Sequence, residues 1–429
     1  MLQTWAVALV CGAAVFSSPI QAQQAPVAGS PLEHATPLVI GHRLTLHSSI
    51  LDEDRTILLS LPENPQSGGA PMPVIYLLDG GAHFLHTVAT MDLLSRSDKM
   101  PYSLVVGIAN TDRDRDLTAA AASGRSSGGA DRFLDFIESE LIPFVESSFV
   151  TAPHRTLIGH SLGGSFVLHS LVDRPDLSNA AIAISPAITN DERVGEGQVS
   201  LSQRMEAGFE DRESQQFSLF VTMSEGEDVE WESDLVAVID LLESSAPRGF
   251  AWEYRRMPGE DHGTTVHGST FAGLRFINRD WAELRDLRTG ELSELRGRFE
   301  RVSQRLGTVI RPPEALVNLL GYRLLAEGSG EAAIEVFEYN LTLYTESANV
   351  HDSLGEALER QGKLPGAMQS YRKAVAKAEA DGDPRLAIFR ANLARVESLL
   401  YEQRSDRARI GGTTVGQRPD GGDGPQLRR

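Results

Sequence analysis

Thr156-Leu157-Ile158-Gly159-His160-Ser161-Leu162-Gly163-Gly164 is the stretch on which the fold of this chain turns. Thr156–Ile158 reads as a short apolar strand, and the segment from Gly164 to Val172 reads as a helix. Gly-x-Ser-x-Gly lies between them. A serine on a tight strand-to-helix turn is the nucleophile-elbow pattern. Side chains two residues either side of that serine would collide with the flanking elements. Glycines remove the collision and leave the hydroxyl exposed at the sheet edge.

The five-residue pattern alone carries little. With 39 glycines in 429 residues, chance supplies about 0.3 matches at ordinary residue usage. The chain holds a second match, Gly124-Arg125-Ser126-Ser127-Gly128. It sits in an Ala/Ser/Gly stretch with no strand before it, and reads as loop. The flanking strand and helix are what single out Ser161.

Outward from the elbow, strands alternate with helices. Leu38–His47 and Thr56–Leu61 read as a hairpin around Asp52-Glu53-Asp54. Val74–Leu78 and Ser103–Ile108 are unbroken apolar runs, as in strands buried on both faces. Asp131–Phe149 has helical spacing. Beyond the elbow come strands Ala180–Ile184, Phe217–Met223 and Ala251–Met257, a helix near Leu235–Leu242, and a closing helix from Ser269 to Leu284. This order implies an α/β fold on a largely parallel sheet over residues 37–285.

The ends of the chain read differently. Residues 1–22, with the apolar run Trp5–Phe16, read as an export signal cleaved after Ala22, and 23–36 as a linker. An exported, periplasmic or secreted protein without a stable membrane span is the expectation. The one cysteine, Cys11, lies within the signal. Residues 286–311 read as a solvated connecting helix. From 312 to 405, Leu320-Gly321, Gly328, Ala333 and Phe337 recur 34 residues later as Leu354-Gly355, Gly362, Ala367 and Tyr371. That period resembles the tetratricopeptide repeat, a helix–turn–helix unit. Two or three units either pack on the α/β region or present a small surface to a peptide or protein partner. Residues 406–429 read as a disordered tail.

A net charge of −19 argues against duplex nucleic acid as a partner. No metal-ligand motif or dinucleotide-binding glycine pattern is present, so neither metal nor cofactor is expected.

The serine needs a base and an acid, which follow it in the order Ser, acid, His in α/β-hydrolases. His262 lies in a loop just after the last strand, and His267 is the nearby alternative. The acid belongs after the strand ending at Met223, where Glu225 is the first choice, with Glu227 and Asp228 as alternatives. Its task is to accept the imidazole N–H and fix the tautomer. Two backbone N–H donors must meet the oxyanion. Leu162 and Gly81, the latter in a loop after Val74–Leu78, are the candidates. Arg113 and Arg115 alternate with Asp112, Asp114 and Asp116, either as a self-neutralised surface loop or as a holder of an anionic substrate group. His160 is a further candidate for substrate contact.

Six ordered blocks carry a resemblance. They are Leu77-Leu78-Asp79-Gly80; Gly107-Ile108-Ala109-Asn110 leading to Arg113 and Asp116-Leu117-Thr118; Phe136–Pro143; Gly159–Gly164; Ile184-Ser185-Pro186; and Asp261-His262-Gly263. Together they resemble the Putative esterase family of α/β-hydrolases, which includes enterochelin and related siderophore esterases. The resemblance implies an esterase with Ser161 as nucleophile, His262 as base, and Gly81 and Leu162 as oxyanion donors. Relatives often carry glycine directly after the acid-bearing strand, then the acid. Here Ser224 follows Met223, so the acid is the residue that the resemblance leaves open.

Overall fold

The computed structural model describes residues 35–62, 71–118, 128–188, 200–209, 216–227, 229–287 and 290–411. The expected signal, the decoy at Gly124–Ser127, Asp228 and most of the expected tail lie outside these residues.

Chain order is β1 (His42–Ser48), β2 (Glu53–Ser60), β3 (Met72–Leu77), α1 (Gly80–Arg96), β4 (Leu104–Ile108), α2 (Arg113–Leu117), α3 (Ala130–Phe136) and α4 (Ile142–Ser148). The elbow joins β5 (Thr151–His160) to α5 (Leu162–Asp173). Then come β6 (Ala180–Ile184), α6 (Leu201–Phe209), β7 (Phe217–Ser224), α7 (Val229–Ser245), β8 (Phe250–Met257), α8 (Thr265–Ile277) and α9 (Arg279–Glu283). The helical region is α10 (Leu292–Leu306), α11 (Glu314–Ala326), α12 (Gly330–Leu343), α13 (Ala348–Arg360), α14 (Leu364–Asp381) and α15 (Leu386–Gly411).

The sheet has eight strands in the order β1-β2-β4-β3-β5-β6-β7-β8. β4 through β8 in that spatial order run parallel, and β1 and β2 add an antiparallel edge. The apolar runs are unbroken because both faces are covered. Val74 and Tyr76 of β3 point into a core shared with α3 and α5, whereas Ile75 and Leu77 point into one shared with α1 and α8. β5 lies near the middle of the sheet, so its C-terminal end faces the crevice where open α/β sheets place their sites.

Three sequence readings change. The expected helix over Asp131–Phe149 contains a π-helical turn, Ile137–Leu141, between α3 and α4. The N–H of Ile142 bonds to Ile137 O, just before Pro143, which has no N–H to give. The glycines after β3 open helix α1 rather than a loop. And the charged segment before the repeats is not a solvated connector. Leu295, Phe299, Val302 and Leu306 of α10 are buried in a core continuous with Trp281 and Leu284 at one end and with α11–α13 at the other.

The 34-residue period has a packing cause. A Cβ on Gly321 would stand 2.6 Å from the Phe337 ring, and one on Gly355 would stand 2.7 Å from the Tyr371 ring. In each hairpin, α11/α12 and α13/α14, glycine lets the aromatic of the second helix lie against the first. α15 packs on α14 through Val396 and Tyr371 and extends to Gly411, into the segment expected as tail. The described residues from 41 to 411 form one compact unit. Residues 35–40 belong to a separate unit and form no helix or strand. No helix among the described residues is long and apolar enough to cross a membrane.

Candidate active site

Ser161 sits at φ 59°, ψ −123° between β5 and α5. A non-glycine residue held there costs about 1–3 kcal/mol and persists only when its surroundings fix it. Ser161 N–H donates to Ile184 O at 3.0 Å, and Ser161 O accepts from Ser165 N–H at 3.0 Å and Ala187 N–H at 3.1 Å. The glycines are required by contact. A Cβ on Gly159 would lie 2.2 Å from Gly163 O, and one on Gly164 would lie 2.9 Å from Ile184 O.

His262 follows β8 and brings its ring beside the elbow. Its centroid lies 4.6 Å from that of His160, the residue before Ser161. Nδ1 of His262 is 3.0 Å from both carboxylate oxygens of Glu227. That carboxylate is 3% exposed, and Ser224 Oγ donates to it as well. Burial alone would raise the Glu227 carboxyl. The hydrogen bonds from Ser224 and His262, together with the His262 charge, outweigh it and hold the group below its usual range.

Glu225, the first choice from sequence, has a different task. Its Oε2 accepts from Gly259 N–H at 3.0 Å and its own N–H donates to Glu260 O at 3.0 Å. It ties the loop after β7 to the loop after β8. The reason is local. β7 extends one residue past Met223, to Ser224, in register with Met257. Gly226 then turns the chain at φ +75°, which brings Glu227, not Glu225, to the imidazole. The signal was present in the sequence: glycine followed by acid, the pattern that the resemblance leads one to seek, is Gly226-Glu227.

The oxyanion candidates lie at two helix N-termini. Gly81 is in the first turn of α1 and Leu162 is the first residue of α5. First-turn N–H groups have no intrahelical acceptor, and the helix dipole adds positive potential there. Gly80 and Gly81 differ in role. A Cβ on Gly80 would strike Gly107 of β4 at 2.7 Å, while Gly81 has open space around it. Gly80 lets α1 sit on the sheet, and Gly81 faces outward.

Arg113 and Arg115 are each paired with carboxylates of the protein. Arg113 makes a two-bond pair with Asp79 (Nε to Oδ1 2.6 Å, Nη2 to Oδ2 2.9 Å) and also donates to His160 O. Asp79 is buried, in the left-handed region at φ 51°, and accepts from Asn110 at 2.6 Å. Burial works to raise its carboxyl, but Arg113 and Asn110 hold it low. Sequence reasoning missed Asp79, although two of the six blocks are the two halves of this clamp. Arg115 pairs with Asp116 within its own segment and with Glu53 of β2.

His160 is not free for a ligand through Nε2, which bonds to His262 O at 2.7 Å. His267 faces His86 at 5.5 Å between centroids, while the Glu227 carboxylate is engaged by His262. His83 joins His86 to His160, so five histidine rings run in a row. Among the described residues no group of three His, Cys, Asp or Glu is arranged to hold a metal ion.

Comparison with known proteins agrees with this architecture. Over 139 residues the chain is 37% identical to the siderophore triacetylfusarinine C esterase of Aspergillus fumigatus, covering 29% of this chain and 48% of that protein. Over 162 residues it is 33% identical to the ferri-bacillibactin esterase of Bacillus subtilis, covering 32% and 55%. The chain thus spans about half the length of these curated relatives. Two solved structures share the fold. An IroE-like serine hydrolase from Shewanella oneidensis matches with TM-score 0.58 and 24% identity, over 71% of this chain and 99% of that one. An uncharacterised protein from Capnocytophaga ochracea matches with TM-score 0.68 and 16% identity, over 83% and 99%. The sequence model of the family described as "Putative esterase" matches residues 48–271, more than half of the chain, and the protein belongs to that family.

Proposed function

We propose that this protein is a serine esterase that hydrolyses siderophore or similar small-molecule esters through an acyl-enzyme on Ser161. The observation that carries the reading is the His262–Glu227 pair. A carboxylate 3% exposed accepts from Nδ1, which leaves Nε2 as the basic nitrogen, beside the strained elbow.

In the proposed sequence Ser161 Oγ attacks the ester carbonyl while His262 Nε2 takes its proton. The imidazolium is stabilised by Glu227, which stays ionised. The oxyanion of the tetrahedral intermediate is met by the N–H groups of Leu162 and Gly81. His262 returns the proton to the leaving alkoxide, and the alcohol departs. Water, deprotonated by the same imidazole, attacks the acyl carbonyl; the Oγ–acyl bond breaks, the imidazolium returns the proton to Ser161 Oγ, and the acid leaves. The substrate class comes from the relatives, whose names specify triacetylfusarinine C and ferri-bacillibactin. Export, read from residues 1–22, fits a protein that meets such esters outside the cytoplasm.

The test is hydrolysis of a cyclic triester siderophore, followed by chromatography, beside p-nitrophenyl butyrate. Stepwise ester cleavage that disappears in Ser161→Ala supports the proposal. Turnover of neither ester by the wild-type protein would overturn it, and turnover of the simple ester alone would overturn the siderophore part.

A further inference from the structure

We propose that His160 is a positioning residue: its ring N–H holds the His262 backbone, and with it the base, against the nucleophile elbow. This inference rests on the serine-esterase reading above.

The His262 carbonyl can only accept, so Nε2 of His160 carries the hydrogen of the 2.7 Å bond between them. That bond links residue 160, at the end of β5, to the residue bearing the base. Several other bonds of the base loop reach elsewhere. Asp261 accepts from Gly263 and Thr264 N–H within the loop, and Gly259 and Glu260 bond to Glu225. The His160 bond reaches the elbow itself. The ring is confined, with the edge of His83 at 5.6 Å and the ring of His262 at 4.6 Å between centroids. Burial first, then the charges of His262 and His83, lowers His160 to about 4. It therefore stays neutral, with one tautomer, around neutral pH.

The backbone of His160 extends the connection. Its carbonyl accepts from Arg113, and Arg113 clamps Asp79, two residues before Gly81. One residue thereby ties together the proposed oxyanion turn, the nucleophile and the base. Contact with substrate is a poorer account of His160, because the Nε2 donor is already used inside the protein.

Two nearly isosteric substitutions separate the bond from mere bulk. In glutamine the amide nitrogen lies as many bonds from Cα as Nε2 does in histidine, and it donates. Methionine has the same length and donates nothing. With p-nitrophenyl butyrate, His160→Met should lower kcat about 10- to 100-fold, as expected for a displaced base. KM should stay within about threefold, the size of one weak contact. His160→Gln should restore kcat to within about fivefold of wild type, since one neutral bond is regained, with thermal midpoints alike in the two variants. If His160→Met does not fold, His160→Asn, one bond too short to reach, takes its place with the same expectation. Equal kcat in the donor and non-donor variants, or a rise in KM with kcat intact, would overturn the proposal. An inactive wild type, or activity that survives Ser161→Ala, would instead sink the esterase reading itself.

Discussion

The two ends of β5 are built from the same parts toward different ends. Each carries a histidine bonded to the backbone carbonyl of a distant segment. His160 Nε2 meets His262 O at 2.7 Å, and His154 Nδ1 meets Arg305 O at 3.1 Å. The two lie six residues apart on the strand, about 20 Å from each other at strand rise. Around His160 the backbone is strained, polar groups converge and helix N-termini face the crevice. Around His154 there is instead a joint. Gly307, left-handed at φ +63°, packs on Pro153, and Arg305 makes a two-bond pair with Asp280 at 2.8 Å. Buried Leu295, Phe299 and Val302 complete that joint. A strand's C-terminal end, where helices begin, gathers the free N–H groups that chemistry needs. Its N-terminal end is available for holding the helical region.

If that division is right, substitutions at one end should change rate and those at the other should change stability. The largest separation is expected within the carboxylates at the catalytic end. Glu227→Gln should lower kcat/KM for p-nitrophenyl butyrate by about 10³- to 10⁴-fold, as loss of the orienting acid does in triads. Glu225→Gln keeps an oxygen for Gly259 and should cost no more than about threefold, within the range of one surface-exposed contact. The reverse ranking would restore the first choice made from sequence.

At the other end, Arg305→Ala removes a two-bond ion pair and leaves Asp280 unpartnered by it. Scanning calorimetry should show the thermal midpoint lowered by about 2–4 °C for roughly 1 kcal/mol lost in a large chain. The kcat/KM value should be unchanged within about twofold, the size of a weak remote effect. A large loss of activity at full stability would break the comparison.

The smallest effect is a pH dependence. Burial, with the Arg305 charge behind it, lowers His154 to about 3, from an ordinary 6.5. Between those values the unfolded chain binds a proton that the folded chain refuses, so stability falls as pH drops through that window. His83, His86 and His160 shift in the same direction, so acid should weaken the wild type overall. His154→Asn keeps a donor in the place of Nδ1 and cannot titrate. Its midpoint should fall less than that of wild type between pH 7 and about 5. Parallel losses would show that His154 does not contribute.

How much of this was legible follows from the range of the interactions. The α/β order, Ser161 and the place of His262 were readable because each depends on neighbours in sequence: glycines at fixed spacing, and a histidine just after an apolar strand. The hairpin packing of the helical region was readable for the same reason, with Gly321 and Gly355 marking where Phe337 and Tyr371 must fit. The choice between Glu225 and Glu227 left only the Gly226-Glu227 pair as a trace in the sequence, because it depends on a strand lasting one residue longer and on the left-handed turn at Gly226. The pairing of Arg113 was hidden too, since its partner Asp79 lies 34 residues away in sequence, after the neighbouring strand β3. The helix α10 was misread as solvated because dense Arg and Glu concealed four apolar residues spaced for one buried face.

The central claim is that Ser161 is the nucleophile activated by the His262–Glu227 pair. Its most direct test is to treat the protein with a fluorophosphonate and locate the adduct by intact-mass and peptide mass spectrometry. A single adduct on Ser161 is expected, absent in Ser161→Ala and formed much more slowly in Glu227→Gln. No adduct on the folded wild-type protein, or an adduct on a different serine, would contradict it.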